Sequence, residues 1–506
     1  MGDRHGLSLG AESLLAQLHQ QRHQDRDCEV LVVGSGYGGA VAAARLAGTV
    51  GADGAPVAPW VVERGREYLP GTFPTRWSEL PADVRFSQGD GRPARGYAEA
   101  LFDLRLGGDA RVLLGNGLGG GSLINAGVMA RPAQAVWQRG WPTALDRLGM
   151  EAGYLKAERM LQPERIPDKP PKLQVLEQLA GAAPQTDLRC PVTINFKAPR
   201  DSAAGVPLQT CTRCGDCLSG CNQGAKGSLD TNYLALAARR GARLFCGVTV
   251  QRLVAPLRPG EAWQVLCRTT EPSLRPAAGQ QPFVLRARRV ILAAGALGST
   301  EILLRSQAAG LDCSARLGER FSTNGDMVAA VFRHGPKVQA TADQETDPAD
   351  PQARGVGPTI TGLAPAQAQG HAFVVEEFAV PAALSQLFGE IVSTFSGPGL
   401  HDAVTHNPDP AEDPLAATGR ALTHSGLYGF IGDDGADGRL EWVPPAPGQP
   451  EPADASVRVR WPALAGLPLF DAQMSWLKAA CARVGGPGGH PVYNPGWRPF
   501  ALFFSV

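Results

Sequence analysis

Cys211, Cys214, Cys217 and Cys221 are spaced C-x2-C-x2-C-x3-C. Thiolates are soft ligands, and cysteines this close in the chain let three of them cap one iron–sulfur cube (4Fe-4S or 3Fe-4S) with a fourth at hand. The run is that of a ferredoxin, with Asn222 where a proline is usual. Zinc is an alternative, although its two-knuckle sites separate their cysteine pairs by about a dozen residues or more. Unligated or bridged structural thiols are a third reading.

A second set of residues speaks to dinucleotide chemistry. Gly34, Gly36 and Gly39 form G-x-G-x-x-G, in which the first glycine permits a tight turn, the second lets a pyrophosphate approach the backbone, and the third allows close helix–strand packing. Glu63 follows at the distance where an acidic side chain accepts ribose hydroxyls. A further glycine-rich stretch, GNGLGGGSLIN, spans 115–125.

These residues need elements to hold them. CEVLVV (28–33) reads as a buried strand, AVAAARLA (40–47) as a helix and WVVERG (60–65) as a second strand, which makes a βαβ unit around the glycine turn. Further on come a helix at 232–240, strands at 243–254 and 264–270, and FVLRARRVILAAG (283–295) feeding a helix at 297–306. A late strand ending in a Gly/Ala turn is the arrangement of an FAD domain interrupted by insertions, and it favours FAD over NAD. The fold class expected is α/β: a Rossmann-like FAD-binding domain (27–150 and 205–330, with the cysteine cluster inserted) interleaved with an α+β substrate domain containing an antiparallel sheet (151–204 and 331–506). Residues 1–26 are expected to be an arm outside the fold.

Composition narrows the function classes. The 506 residues are 43% hydrophobic and 19% charged, and Lys+Arg balances Asp+Glu at 48 each. That balance gives no reason to expect nucleic acid as a partner. No apolar run reaches the roughly 18 residues of a transmembrane span, and the N-terminus has no apolar core of a secretory signal, so the expected location is cytoplasmic. Ten cysteines in such a chain point to reduced, ligating or inert thiols rather than a disulfide framework.

With these motifs in order, the chain resembles the glucose–methanol–choline (GMC) oxidoreductases. GNGLGGGSLIN is similar to the family's first signature, and VVERGREYLPGTFP (61–74), SLDTNYLALA (228–237), FSTNGDM (321–327) and VEEFAVPAAL (375–384) resemble its cholesterol-oxidase-like branch. The resemblance implies FAD, with Gly117 and Gly120 among the cofactor-binding residues, Gly121, Asn125 and Val128 lining the flavin and Val248 holding the adenine. It implies Glu377 as the substrate-facing carboxylate. A carboxyl followed by Phe-Ala-Val-Pro could sit in a desolvated pocket, with the raised pKa that proton transfer near neutrality requires. Certain bacterial sugar dehydrogenases of the family carry an iron–sulfur cluster on C-x5-C-x3-C, a spacing that Cys211, Cys217 and Cys221 reproduce with Cys214 as candidate fourth ligand.

The sequence departs from the family in two places. Met129 stands where the signature usually has an aromatic residue or Ala. The family's catalytic His stretch, His-Pro-Leu-Gly-Gly, would begin where this sequence stops at Val506, and His490 is a candidate substitute base. The activity expected is oxidation of a CH–OH group of a sterol or other bulky apolar alcohol, with electrons leaving through the cluster to an acceptor protein. The alternative is a non-catalytic flavin-binding fragment or subunit that a C-terminal polypeptide completes.

Overall fold

The computed structural model describes residues 6–21, 23–51, 54–133, 136–137, 147–270, 282–332, 334–342, 355–395, 422–445, 448, 454, 456–485, 492–493 and 500–501. His490 lies outside the described residues, as does most of the segment that follows it.

The strand Cys28–Val33 is buried along nearly its whole length, as the centre of a parallel sheet covered on both faces requires. It pairs in parallel with Trp60–Val62 on one side and with Arg289–Leu292 on the other. Arg243–Phe245 adds a parallel strand outside Trp60–Val62. The antiparallel ribbon Val248–Val254 and Trp263–Thr269 joins the first half of Phe283–Leu292, completing six strands. The sequence reads 243–254 as one strand. The structure breaks it at Gly247, whose φ of +76° suits glycine, and the chain leaves the parallel edge there to start the ribbon.

The segment expected to be an arm is part of this layer. Leu9 bridges to Phe245, and Ala11 and Leu14 of helix Ala11–Gln20 are buried against the sheet. Its apolar residues recur at helical spacing and so have a face to bury.

A second layer is a five-stranded sheet in the order Leu363–Ala368, His371–Phe378, Gly426–Gly432, Met327–Phe332 and Val492–Tyr493, with every pair antiparallel. Met327–Phe332 straddles the boundary expected at 330. Successive side chains on a strand point to opposite faces, so the two faces have separate neighbours. Phe373, Val375, Tyr428 and Phe430 pack on helices Pro171–Ala180 and Pro468–Cys481 through Leu173, Leu176, Phe470 and Leu477. Phe378, Leu427 and Leu363 face the other way and pack with Ala126, Val128, Ile194 and Cys217. That second face looks toward the glycine-rich and cysteine-rich loops. Among the described residues, no helix is long and apolar enough to cross a membrane.

Candidate functional site

A cleft of about 310 Å³ opens at the C-terminal ends of the parallel strands, lined by Gly34, Gly36, Glu63, Gly120, Val248 and the Ala293–Gly295 turn. Ligands bind an open α/β sheet at this end. The three glycines do different work. Gly34 turns the chain at φ +94°, and a Cβ there would lie 2.4 Å from the Ala293 carbonyl oxygen. A Cβ on Gly39 would come within 2.0 Å of the Gly34 oxygen, so helix Tyr37–Leu46 can pack on its strand only without one. Gly36 meets nothing within 4 Å. Its missing side chain is therefore not required by the protein's own packing, and the space it leaves lies at a helix N-terminus, a position whose N–H groups and dipole suit an anion such as a diphosphate.

The second glycine loop closes over the first. A Cβ on Gly120, itself at φ +55°, would lie 2.9 Å from the Gly36 Cα. Gly117 is packed against Leu123 and the Arg66 carbonyl, and Gly121 is buried in the turn Gly120–Leu123. Asn125 donates from Nδ2 to the Tyr37 hydroxyl at 2.8 Å, which ties the loop's end to the first turn of the cleft helix. Val128 lies farther on, bridged to Val192 and packed beside the face of the antiparallel sheet. Gly117, Gly121, Asn125 and Val128 thus shape the loop, while Gly120 reaches the cleft wall.

Glu63 is buried, and its carboxylate accepts from the Ser35 hydroxyl (2.6 Å), the Ser35 N–H (3.1 Å) and the Gly65 N–H (3.0 Å). It first holds the glycine turn in place. A carboxylate has about four acceptor positions, so one remains for a ribose hydroxyl. Val248 forms the wall beyond it and donates its N–H to the Glu63 carbonyl at 2.9 Å.

The same cleft wall carries a charged network, through Arg64, Arg105, Glu301, Arg305 and Asp454, that sequence spacing could not reveal. Asp103 is fully buried and bonded by Arg64 (2.7 Å) and Arg105 (2.9 Å). Asp454 receives Arg85 (2.9 Å) and Arg64, and Arg305 bonds Glu301 at 2.9 Å. Burial alone would raise the Asp103 carboxyl, but the guanidinium groups of Arg105, Arg85 and Arg64 outweigh it and hold the acid well below the usual carboxylate range. Arg64 also donates to Asn116 at 2.9 Å, which anchors the start of the glycine loop.

Glu377 is on the face turned toward the helices. It is 1% exposed, and its oxygens accept from Lys172 Nζ (2.8 Å), the Thr361 N–H (2.8 Å), the Thr361 hydroxyl and the Gly362 N–H (3.1 Å). Those bonds use the carboxylate's capacity inside the protein. Glu376 lies opposite Gly429 on the face that looks to Ala126 and Val128. Burial, then repulsion from Glu377, pushes its carboxyl up to about 8. Asp326 is pushed up as well, by burial and then by Glu376.

All four cysteines of the run line one small cavity together with Lys226. Burial raises the thiols of Cys211, Cys214 and Cys217, Cys214 to about 12. Among the described residues, no group of three or more His, Cys, Asp or Glu is disposed to hold a metal ion. The iron–sulfur and zinc expectations therefore find no support in this geometry. Cys217 packs as an apolar group with Ala126, Ile194 and Phe378. Cys28, Cys246 and Cys267 are buried in or beside strands.

Comparison with known proteins agrees with the cleft. The chain is 29% identical over 333 residues to a cholesterol oxidase of Acinetobacter baumannii, covering 62% of this chain and 57% of that protein. It is 28% identical over 336 residues to a cholesterol oxidase of Mycobacterium tuberculosis, covering 62% and 55%. The chain therefore spans little more than half the length of the curated relatives it matches. A solved formate oxidase from Aspergillus oryzae shares the fold, with a TM-score of 0.51 at 14% identity over 95% of this chain and 84% of that one. GMC oxidoreductases bind FAD, and a family model described as GMC oxidoreductase matches residues 28–323. That match takes in more than half of the sequence, and the chain belongs to the GMC oxidoreductase family.

Proposed function

We propose that the cleft between the two glycine loops holds FAD and that the whole protein oxidises the CH–OH group of a sterol or other bulky apolar alcohol. The observation that carries this reading is the pairing of Gly36 and Gly120: an open cradle at a helix N-terminus, with a second glycine backbone laid against it. Gly34 and the helix N-terminus would bind the diphosphate, and Glu63 and Val248 the adenosine end. Bound FAD supplies a hydride acceptor.

The chain's own part is to orient the alcohol and take its hydroxyl proton. Glu376 suits that task better than Glu377. Its carboxyl near 8 is matched to proton transfer close to neutrality, and it sits on the sheet face turned to the flavin loop. Leu363, paired across from it, and Phe378 and Leu427 on the same sheet face make its surroundings apolar, which favours a bulky apolar substrate. Glu377 would act as a tether that holds the strand through Lys172.

A second reading, a flavin-binding subunit completed by another polypeptide, is favoured by one feature. Beyond Ala287, the Phe283–Leu292 strand pairs only with Cys28–Val33 among the described strands, leaving an edge that a further strand could fill. Anaerobic bleaching of the flavin by a panel of sterols and long-chain alcohols tests the proposal. Bleaching supports it. A flavin-loaded chain that no alcohol bleaches, until a downstream polypeptide is supplied, supports the second reading.

A further inference from the structure

Lys226 is 3% exposed, yet it has no carboxylate among its hydrogen-bond partners. Its ammonium donates to the Leu123 carbonyl at 3.0 Å, to the Asn125 carbonyl, and to the Cys217 carbonyl at 3.1 Å. An ammonium has three N–H donors, so all are spent. Two of the acceptors belong to the flavin loop and the third to the cysteine loop. Buried charge is costly unless it is compensated: burial pushes the Lys226 ammonium down to about 8, and Cys217, Cys221 and Asp230 offset only part of that.

The contacts continue in both directions. On one side, the Lys226 side chain is part of the lining of the cavity shared by the four cysteines. On the other, Leu123 ends the turn that begins at Gly120, beside Gly36, and Asn125 bonds Tyr37 in the cleft wall. One side chain therefore joins the thiol cavity to the backbone that lies against the dinucleotide cleft.

We propose that Lys226 is a positioning residue of the FAD site and that it makes the cysteine loop part of that site: by tying the Leu123, Asn125 and Cys217 carbonyls to one ammonium, it lets the packing of the cysteine loop set how firmly the flavin loop grips the cofactor. This rests on the FAD reading above, and it requires no metal. Coupling of this kind is reciprocal. FAD binding should tighten the cysteine loop, although none of residues 211–221 lines the cleft.

The test needs no variant at first. Adding FAD to the wild-type chain should slow amide exchange across 211–221. FAD binding that leaves those amides unchanged overturns this inference alone, and failure to bind FAD overturns it together with the proposed function. A double-mutant cycle then reads the connection through Lys226. Cys217→Ser and Lys226→Met should each weaken FAD binding, and the double variant should be no weaker than the worse single one, a coupling of about 5–150-fold. Independent, multiplying effects overturn the proposal. Lys226→Arg, which keeps the charge and the donors, should restore the flavin's bound-state visible spectrum where Lys226→Met does not, and equal spectra for the two variants count against a role for the charge.

Discussion

Glu376 and Glu377 are consecutive in the chain and face opposite sides of one antiparallel sheet: Glu377 is locked to Lys172 at 2.8 Å, while Glu376 lies across from Gly429. The pair separates two roles that a sequence motif merges. One carboxylate is a structural tether, and the other is a desolvated acid on the sheet face packed toward Ala126 and Val128.

Replacing the tether should damage the fold. Glu377→Gln leaves the Lys172 ammonium buried without its counter-charge, and breaking a buried pair in this way costs roughly 3–5 kcal/mol. Urea denaturation should show a correspondingly lower midpoint. Glu376→Gln should leave the midpoint at neutral pH unchanged or raise it, because it removes a carboxyl that burial disfavours in its charged form.

The same residue gives a pH dependence of defined sign. In the folded chain the Glu376 carboxyl titrates at about 8, against an ordinary value of 4.5. Below 4.5 both states hold the proton and the group contributes nothing. Between 4.5 and 8 the unfolded chain releases it while the folded chain retains it, so stability falls as pH rises through this window and levels off above it. Each unit is worth about 1.4 kcal/mol, so the whole effect is a few kcal/mol. Comparing the stability of wild type and Glu376→Gln from pH 5 to 9 isolates it. Parallel curves would show that Glu376 is not so perturbed.

Gly36 and Gly39 should respond differently to the same substitution. Gly36→Val places its side chain in open space, so the chain should fold with near wild-type stability and lose FAD. Gly39→Val drives a Cβ into the Gly34 carbonyl and should cost several kcal/mol. Thermal melts with FAD content measured on the same samples separate the two effects.

Much of the cleft was legible in the sequence because its elements are local. The strand–glycine–helix unit, Glu63 and the second glycine loop lie within about 100 residues and carry their own turn chemistry. The antiparallel sheet was foreseen only as a class. The choice between Glu376 and Glu377 depends on which face the helices cover, and alternation alone does not say. Lys226 is a single lysine in a loop, distinguished only by the carbonyls that surround it. Asp454 meets Arg64 from 390 positions away, beyond the reach of any motif. The cysteine spacing gave a strong metal signal, but spacing does not fix where thiol groups point.

The arginine–carboxylate network should prove essential to the cleft's shape. Asp103→Asn removes the charge that Arg64 and Arg105 share and leaves buried guanidinium groups under-compensated, which should cost roughly 3–5 kcal/mol. Because Arg64 anchors Asn116, FAD affinity should fall as well. Fluorescence titration of whatever folded variant remains would show it.

FAD binding by the wild-type chain is the most direct test of the account. Titrating FAD into purified, flavin-stripped protein should give saturable binding at one equivalent per chain, competed by ADP and lost in Gly36→Val. A folded wild-type chain that shows no saturable binding, or one whose affinity Gly36→Val leaves intact, would contradict the assignment of the cleft.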